Sequence, residues 1–215
     1  MVNSKLQVAE WHQLEESVQY PVMEHFYTLQ GEACFSGQAA YFIRLAGCDV
    51  GCVWCDVKES WDAALYPKIS VKKLMDYVEA FPGKIVVVTG GEPTLHQLDA
   101  LTRAIKDRGL RSHIETAATA PISGDWDWVT ISPKKFKSPL PENMQRANEL
   151  KVVIFHPSDF AWAEKHAAMV PSDCKLYLQP EWDKREAMLP LLIDYIQRHP
   201  QWQLSLQTHK YIHIP

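Results

Sequence analysis

Ala40-Tyr41-Phe42-Ile43-Arg44-Leu45-Ala46-Gly47-Cys48-Asp49-Val50-Gly51-Cys52-Val53-Trp54-Cys55 joins an apolar run to three cysteines in a CxxxCxxC spacing. Residues Ala40 to Ala46 read as a buried strand, and the loop that follows gathers three thiols. Iron-sulfur clusters are ordinarily held by four thiolates, so three leave one iron of a four-iron cluster open to a substrate or cofactor. A zinc site completed by one of the nine histidines competes with this, since zinc takes three cysteines and one histidine. The spacing favours the cluster, because structural zinc motifs more often pair CxxC elements.

Outward from this stretch, short apolar runs alternate with amphipathic ones, the pattern of strand-helix units around a parallel sheet. Ser70 is placed to cap a helix reaching about Ala80, and Lys84 to Val88 is a β-branched run suited to a buried parallel strand. Leu95, Leu98, Leu101 and Ile105 recur at helical spacing, with Gly109 as the stop. Further strands are expected over Arg111 to Glu115, Trp128 to Ile131, Leu150 to Phe155, Lys175 to Gln179 and Trp202 to Gln207. Helices are expected over Ser158 to Met169 and Lys184 to His199, the second kinked or broken at Pro190. A closed eight-unit barrel takes about 250 residues, so a chain of 215 is expected to form a partial, open (β/α)6-type barrel with mainly parallel strands, in one domain.

Composition narrows the partners. With 22 basic and 26 acidic residues well mixed, and a formal net charge of -4, no basic stripe marks a nucleic-acid surface. The apolar runs fall well short of the roughly 20 residues of a membrane helix, and Met1 to Glu16 has no apolar signal core. A cytoplasmic protein that binds neither nucleic acid nor membrane is expected. Five cysteines, three of them crowded together, make a poor disulfide framework. Cys34 and Cys174 stand alone and read as small buried hydrophobes.

Two other features carry chemistry. Thr89-Gly90-Gly91-Glu92-Pro93 follows the Ile85 to Val88 run, so its glycines fall at the carboxyl end of a parallel strand, where a ligand can approach the backbone. Arg44 lies in an otherwise apolar strand and needs a carboxylate: an internal partner such as Glu32 or Glu115, or a ligand.

The CxxxCxxC loop after an early strand resembles the radical S-adenosylmethionine superfamily. Leu29-Gln30-Gly31-Glu32, Arg44 with the cysteine loop, Thr89 to Pro93, Ile114-Glu115-Thr116, Ile131-Ser132-Pro133-Lys134, Leu178-Gln179-Pro180 and Gln207-Thr208-His209-Lys210-Tyr211 occur in order. From about Val22 onward the chain resembles the 7-carboxy-7-deazaguanine synthase family. That resemblance implies a radical ring contraction of 6-carboxy-5,6,7,8-tetrahydropterin with loss of ammonia, on the route to queuosine and related 7-deazapurines. It implies a 4Fe-4S cluster on Cys48, Cys52 and Cys55, and S-adenosylmethionine against Trp54, Cys55, Asp56, Gly91, Ser132, Pro133, Lys134 and Gln179. It further implies substrate contacts from Leu29, Gln30, Gly31, Glu32, Arg44, Thr89, His209 and the carboxylate of Pro215, a homodimer, and an electron donor such as flavodoxin.

A carboxylate such as Glu32 can accept the adjacent N–H donors of a pterin edge, and Arg44 supplies a cation for the substrate carboxylate. Two positions depart from the family pattern. Ala33 stands where glycine is usual, so alanine must make a turn that glycine would ease. Val57 stands where threonine is usual, removing a hydroxyl that would ligate magnesium, so magnesium binding is expected to be weak or absent. A glycyl-radical activating enzyme and a zinc-stabilised binding module are the competing readings; Gln30, Glu32 and the His209 region argue against the first.

Overall fold

The computed structural model describes residues 2–215. The elements run α1 (Val2–Ser17), β1 (Gln19–Leu29), β2 (Ala39–Leu45), β3 (Lys68–Ser70), α2 (Val71–Glu79), β4 (Ile85–Gly90), α3 (Asp99–Asp107) and β5 (Arg111–Thr116). They continue with β6 (Trp128–Ile131), α4 (Pro141–Met144), β7 (Glu149–Ile154), α5 (Asp159–Ala167), β8 (Lys175–Pro180), α6 (Arg185–Arg198), β9 (Trp202–Leu204) and α7 (Thr208–Ile212).

All nine strands form one sheet in the order β3-β1-β2-β4-β5-β6-β7-β8-β9. From β2 to β9 each neighbouring pair is parallel, whereas β1 is antiparallel to both β2 and β3. The sheet ends at β3 and β9 without closing, the open barrel expected from the short chain.

Alternation along the strands gives the sheet two chemically different faces. On the outer face Ile43, Val88, Ile114, Ile131, Leu150, Val152 and Leu178 pack against the helices, with α2 contributing Val71, Leu74, Met75 and Val78. Those four positions lie on one helical stripe, and Ser70 accepts a hydrogen bond from the Lys73 N–H at 3.2 Å to cap it, worth about 1 kcal/mol. On the inner face Ala40, Phe42, Ile85 and Val87 form a smaller apolar cluster with Phe26 and Phe35. Higher in the barrel the inner face turns polar, with Arg44, Thr89, Glu115, Lys151 and Gln179 lining a cavity.

Several boundaries differ from expectation for local reasons. Leu95 falls outside α3, because Pro93 and the Glu92 carboxylate, which accepts from the Thr94 N–H at 2.9 Å, wind Pro93–Leu95 into a separate tight turn. The last strand ends at Leu204 rather than Gln207; the Ser205 N–H still bonds the Leu178 carbonyl, after which the chain bends towards the cavity. Pro190 does not break α6, which continues through it from Arg185 to Arg198. Gly109 stops α3 as expected, at φ +66°.

Candidate active site

The cavity, of about 280 Å³, opens at the carboxyl ends of the parallel strands, where such folds bind ligands. It is lined by the loop after β2 (Cys48, Cys52, Trp54, Cys55, Asp56), by Thr89, Gly90 and Gly91 of β4, and by Ser132 and Lys134 after β6. Gln179 of β8, the Leu29-Gln30-Gly31-Glu32 turn after β1, Arg44, His209 and Pro215 complete the wall. The fold thus brings together residues as far apart as 29 and 215. Pro133 alone among the expected site residues is not part of the lining.

The cysteine loop is held by backbone bonds. The Gly47 N–H donates to the Ser60 carbonyl at 2.7 Å and the Cys48 N–H to Trp61 at 3.1 Å, while the Glu92 N–H donates to Gly47 at 2.8 Å. Gly90 and Gly91 permit this close contact, since neither carries a Cβ. A Cβ at Gly90 would stand 2.0 Å from the Leu45 carbonyl oxygen, and one at Gly91 would stand 2.2 Å from that of Gly47. Glu92, buried behind them, accepts hydrogen bonds from Thr94, from the Thr116 hydroxyl and from the Ala117 N–H at 2.8 Å, fastening this turn to the end of β5.

Cys48, Cys52 and Cys55 are free thiols packed in one small cluster with Val50 and Ala117. Burial pushes the Cys52 thiol up to about 11 against the opposing pull of Lys134, and burial likewise raises Cys48. Thiolate ligation therefore releases protons here. Among the described residues no group of three or more His, Cys, Asp or Glu side chains is arranged around a single metal ion. Three free thiols packed together in one loop fit an iron-sulfur cluster, which cysteine thiolates hold. Cys174 is buried as expected, but Cys34 is exposed, because it lies in the short turn Ala33–Phe35 outside the sheet.

The deeper wall is a network of charges. The Lys151 ammonium, on the inner face of β7, is bonded to the Glu32 carboxylate and, at 3.0 Å, to Glu115 Oε2. Glu115 Oε1 accepts from Gln30 Nε2 at 2.8 Å, and Glu32 Oε1 accepts from Gln207 Nε2 at 3.0 Å. Burial works against the Glu32 carboxylate, but Lys151 outweighs it and holds its pKa at about 2. Arg44 takes neither Glu32 nor Glu115; its Nε donates to Glu24 Oε1 at 2.6 Å, the residue opposite it on β1. Burial lowers Lys134 to about 8, and its ammonium donates to the Ser132 hydroxyl and carbonyl, each at 2.6 Å.

The sequence does not single out Lys151 or Glu24, and it offers Glu115 as a partner for Arg44 and within the Ile114-Glu115-Thr116 motif without a site role of its own. A lysine between Leu150 and Val152 was the available signal, because an inward-facing ammonium demands carboxylates.

Residues 42–154 match the Radical SAM superfamily. A 7-carboxy-7-deazaguanine synthase of Flavobacterium psychrophilum is 47% identical over 215 residues, covering 100% of both chains. The chain belongs to the 7-carboxy-7-deazaguanine synthase family. The synthase of Synechocystis is 46% identical over 198 residues, 92% of this chain and 95% of the relative. The Escherichia coli synthase is 34% identical over 224 residues, covering 92% and 100%. A crystal structure of QueE from Escherichia coli superposes with a TM-score of 0.83 at 32% identity, over 93% of this chain and 99% of that one. Membership of this synthase family carries a 4Fe-4S cluster and S-adenosylmethionine, which the three convergent thiols fit.

Proposed function

We propose that the chain converts 6-carboxy-5,6,7,8-tetrahydropterin to 7-carboxy-7-deazaguanine with release of ammonia, in 7-deazapurine and queuosine biosynthesis. The observation that carries this reading is one cavity holding the three cysteines, Arg44 and the Gln30-Gly31-Glu32 turn. When bound, the cluster and S-adenosylmethionine supply the 5'-deoxyadenosyl radical that removes a hydrogen atom from the substrate. Cys48, Cys52 and Cys55 hold the cluster, while Trp54, Asp56, Gly91, Ser132, Lys134 and Gln179 face S-adenosylmethionine. Pro133 serves by setting the turn between Ser132 and Lys134.

Glu32 and Gln30 bind the amino-pyrimidinone edge, whose N–H groups need acceptors, and Arg44 binds the substrate carboxylate. Leu29, Gly31, Thr89, His209 and Pro215 complete the substrate pocket and keep water from it. Weak or absent magnesium binding is expected beside the cysteine loop, because the Val57 side chain offers no oxygen and Asp56 Oδ2 accepts from Lys210 at 2.7 Å. The family resemblance also supports a single domain over residues 1–215, a homodimer, a cytoplasmic setting and a flavodoxin-type reductant. No helix among the described residues is long and apolar enough to cross a membrane.

The test is anaerobic reconstitution with iron and sulfide, followed by mass spectrometry after incubation with the carboxytetrahydropterin, S-adenosylmethionine and dithionite. Appearance of 7-carboxy-7-deazaguanine together with 5'-deoxyadenosine is expected. Cleavage of S-adenosylmethionine without that product would overturn the substrate assignment.

A further inference from the structure

The floor of the substrate pocket rests on a residue that no family motif in this chain contains. Lys151 comes from β7, Glu32 from the turn after β1, and Glu115 from β5, so one ammonium ties three separate elements. The Lys151 side chain is only 5% exposed, and those of Glu32 and Glu115 are 13% and 21% exposed. Two carboxylates this close and this buried repel each other unless a cation stands between them.

We infer that Lys151 is a positioning residue for the pterin: it clamps Glu32 and Glu115 so that Glu32, and Gln30 through Glu115, present fixed acceptors and donors to the substrate edge. This rests on the pterin reading above. The bonds support it, because each carboxylate oxygen in the network already has a fixed partner and keeps a second lone pair for a ligand. Burial opposes the charge on Lys151, yet the Glu115 and Glu32 carboxylates outweigh it, so the ammonium persists across the neutral range. The other titratable groups around the clamp are Glu149 on the same strand, Asp56 after the cysteine loop, Lys134 from the loop after β6 and His209 from α7.

Replacement of Lys151 by methionine leaves two carboxylates facing one another, and a proton must then do what the ammonium did. Binding in the variant therefore improves as pH falls, which a purely structural lysine does not predict.

The experiment measures the dissociation constant of 6-carboxypterin, an air-stable probe that cannot turn over, on cluster-loaded enzyme by fluorescence quenching between pH 6 and 8. Wild type, Lys151→Met, Glu32→Gln and the double variant form a cycle. Lys151→Met is expected to bind at least about tenfold more weakly at pH 8, the scale of one charge-assisted hydrogen bond, and to regain affinity towards pH 6 relative to wild type. Because Lys151 acts through Glu32 as well as Glu115, adding Lys151→Met to Glu32→Gln is expected to weaken binding by clearly less than the roughly tenfold it costs in the wild-type background. That last comparison holds even if Lys151→Met alone does not fold, since the double variant buries one carboxylate fewer. Failure of wild type to bind the probe overturns the pterin reading and this inference with it. Normal wild-type binding with an unchanged Lys151→Met, or with additive losses in the cycle, overturns the clamp alone.

Discussion

The carbonyl oxygen of Gly47 lies 2.2 Å from where a Cβ on Gly91 would stand. The Cβ of Cys48 is 2.9 Å from the same point, and neither neighbour is the free end of a flexible side chain. Gly91→Ala must therefore displace the cysteine loop. We expect a loss of about 1 to 3 kcal/mol in stability, typical of overpacking, and at least half of the bound iron lost on reconstitution. Wild-type iron content in this variant would show that the loop tolerates the shift.

Ala33 adopts φ +49°, the left-handed conformation that costs a non-glycine residue about 1 kcal/mol or more. The turn is held in place regardless, because its N–H donates to Ser205 at 3.0 Å and the neighbouring Cys34 N–H donates to Glu149 at 3.1 Å. Ala33→Gly is expected to raise the melting temperature by roughly 2 to 4 °C. A lower melting temperature in a thermal scan would mean that unfolded-state entropy outweighs the relieved strain.

Glu149 is buried beneath this turn, and burial pushes its carboxyl up from 4.5 to about 7, despite the nearby Lys151. The folded state therefore holds its proton more tightly than the unfolded chain does. Its contribution is most favourable below about pH 4.5 and is lost as pH rises to 7, an effect of about 3 kcal/mol. Glu149→Gln keeps an acceptor for the Thr130 hydroxyl and removes the titration. The variant is expected to melt several degrees above wild type at pH 8, with the advantage shrinking at pH 5. Equal differences at both pH values would rule the titration out.

Lys210 of α7 reaches across to Asp56, just after the cysteine loop, at 2.7 Å. Asp56 is more than half exposed, and exposed pairs contribute about 0 to 1 kcal/mol, so Lys210→Met is expected to change the melting temperature little. The Michaelis constant for the pterin is expected to rise severalfold, because the same helix carries His209 into the pocket. An unchanged Michaelis constant would separate α7 from substrate binding.

With no oxygen on the Val57 side chain and Asp56 engaged by Lys210, chelation of divalent ions is expected to leave turnover within about twofold. A large loss reversed by magnesium alone would reveal oxygen ligands elsewhere in the pocket.

The parts of this fold that were legible in sequence are those decided by neighbours in the chain. The Ile85–Val88 run, the Ser70 cap and the Gly109 stop each act within one or two turns, and the structure places them as expected. β1 was not legible, because Gln19–Leu29 mixes charged, aromatic and aliphatic residues and shows no clean alternation of buried and exposed positions. Val2–Ser17 shows no apolar stripe, so α1 was equally silent. The cysteines announce themselves through chemistry and spacing, and the Gln30 to Glu32 turn through its resemblance to the family's motif. Lys151 does not, since its partner Glu32 is 119 residues away and meets it only when β7 and the end of β1 face the same cavity.

Arg44 and Glu24 face one another across the antiparallel β1 and β2 ladder. Glu24 is absent from the cavity wall, yet its carboxylate fixes the direction of the one guanidinium within it. The two side chains therefore act as one unit. A lineage that altered residue 24 alone would re-aim residue 44 without touching it.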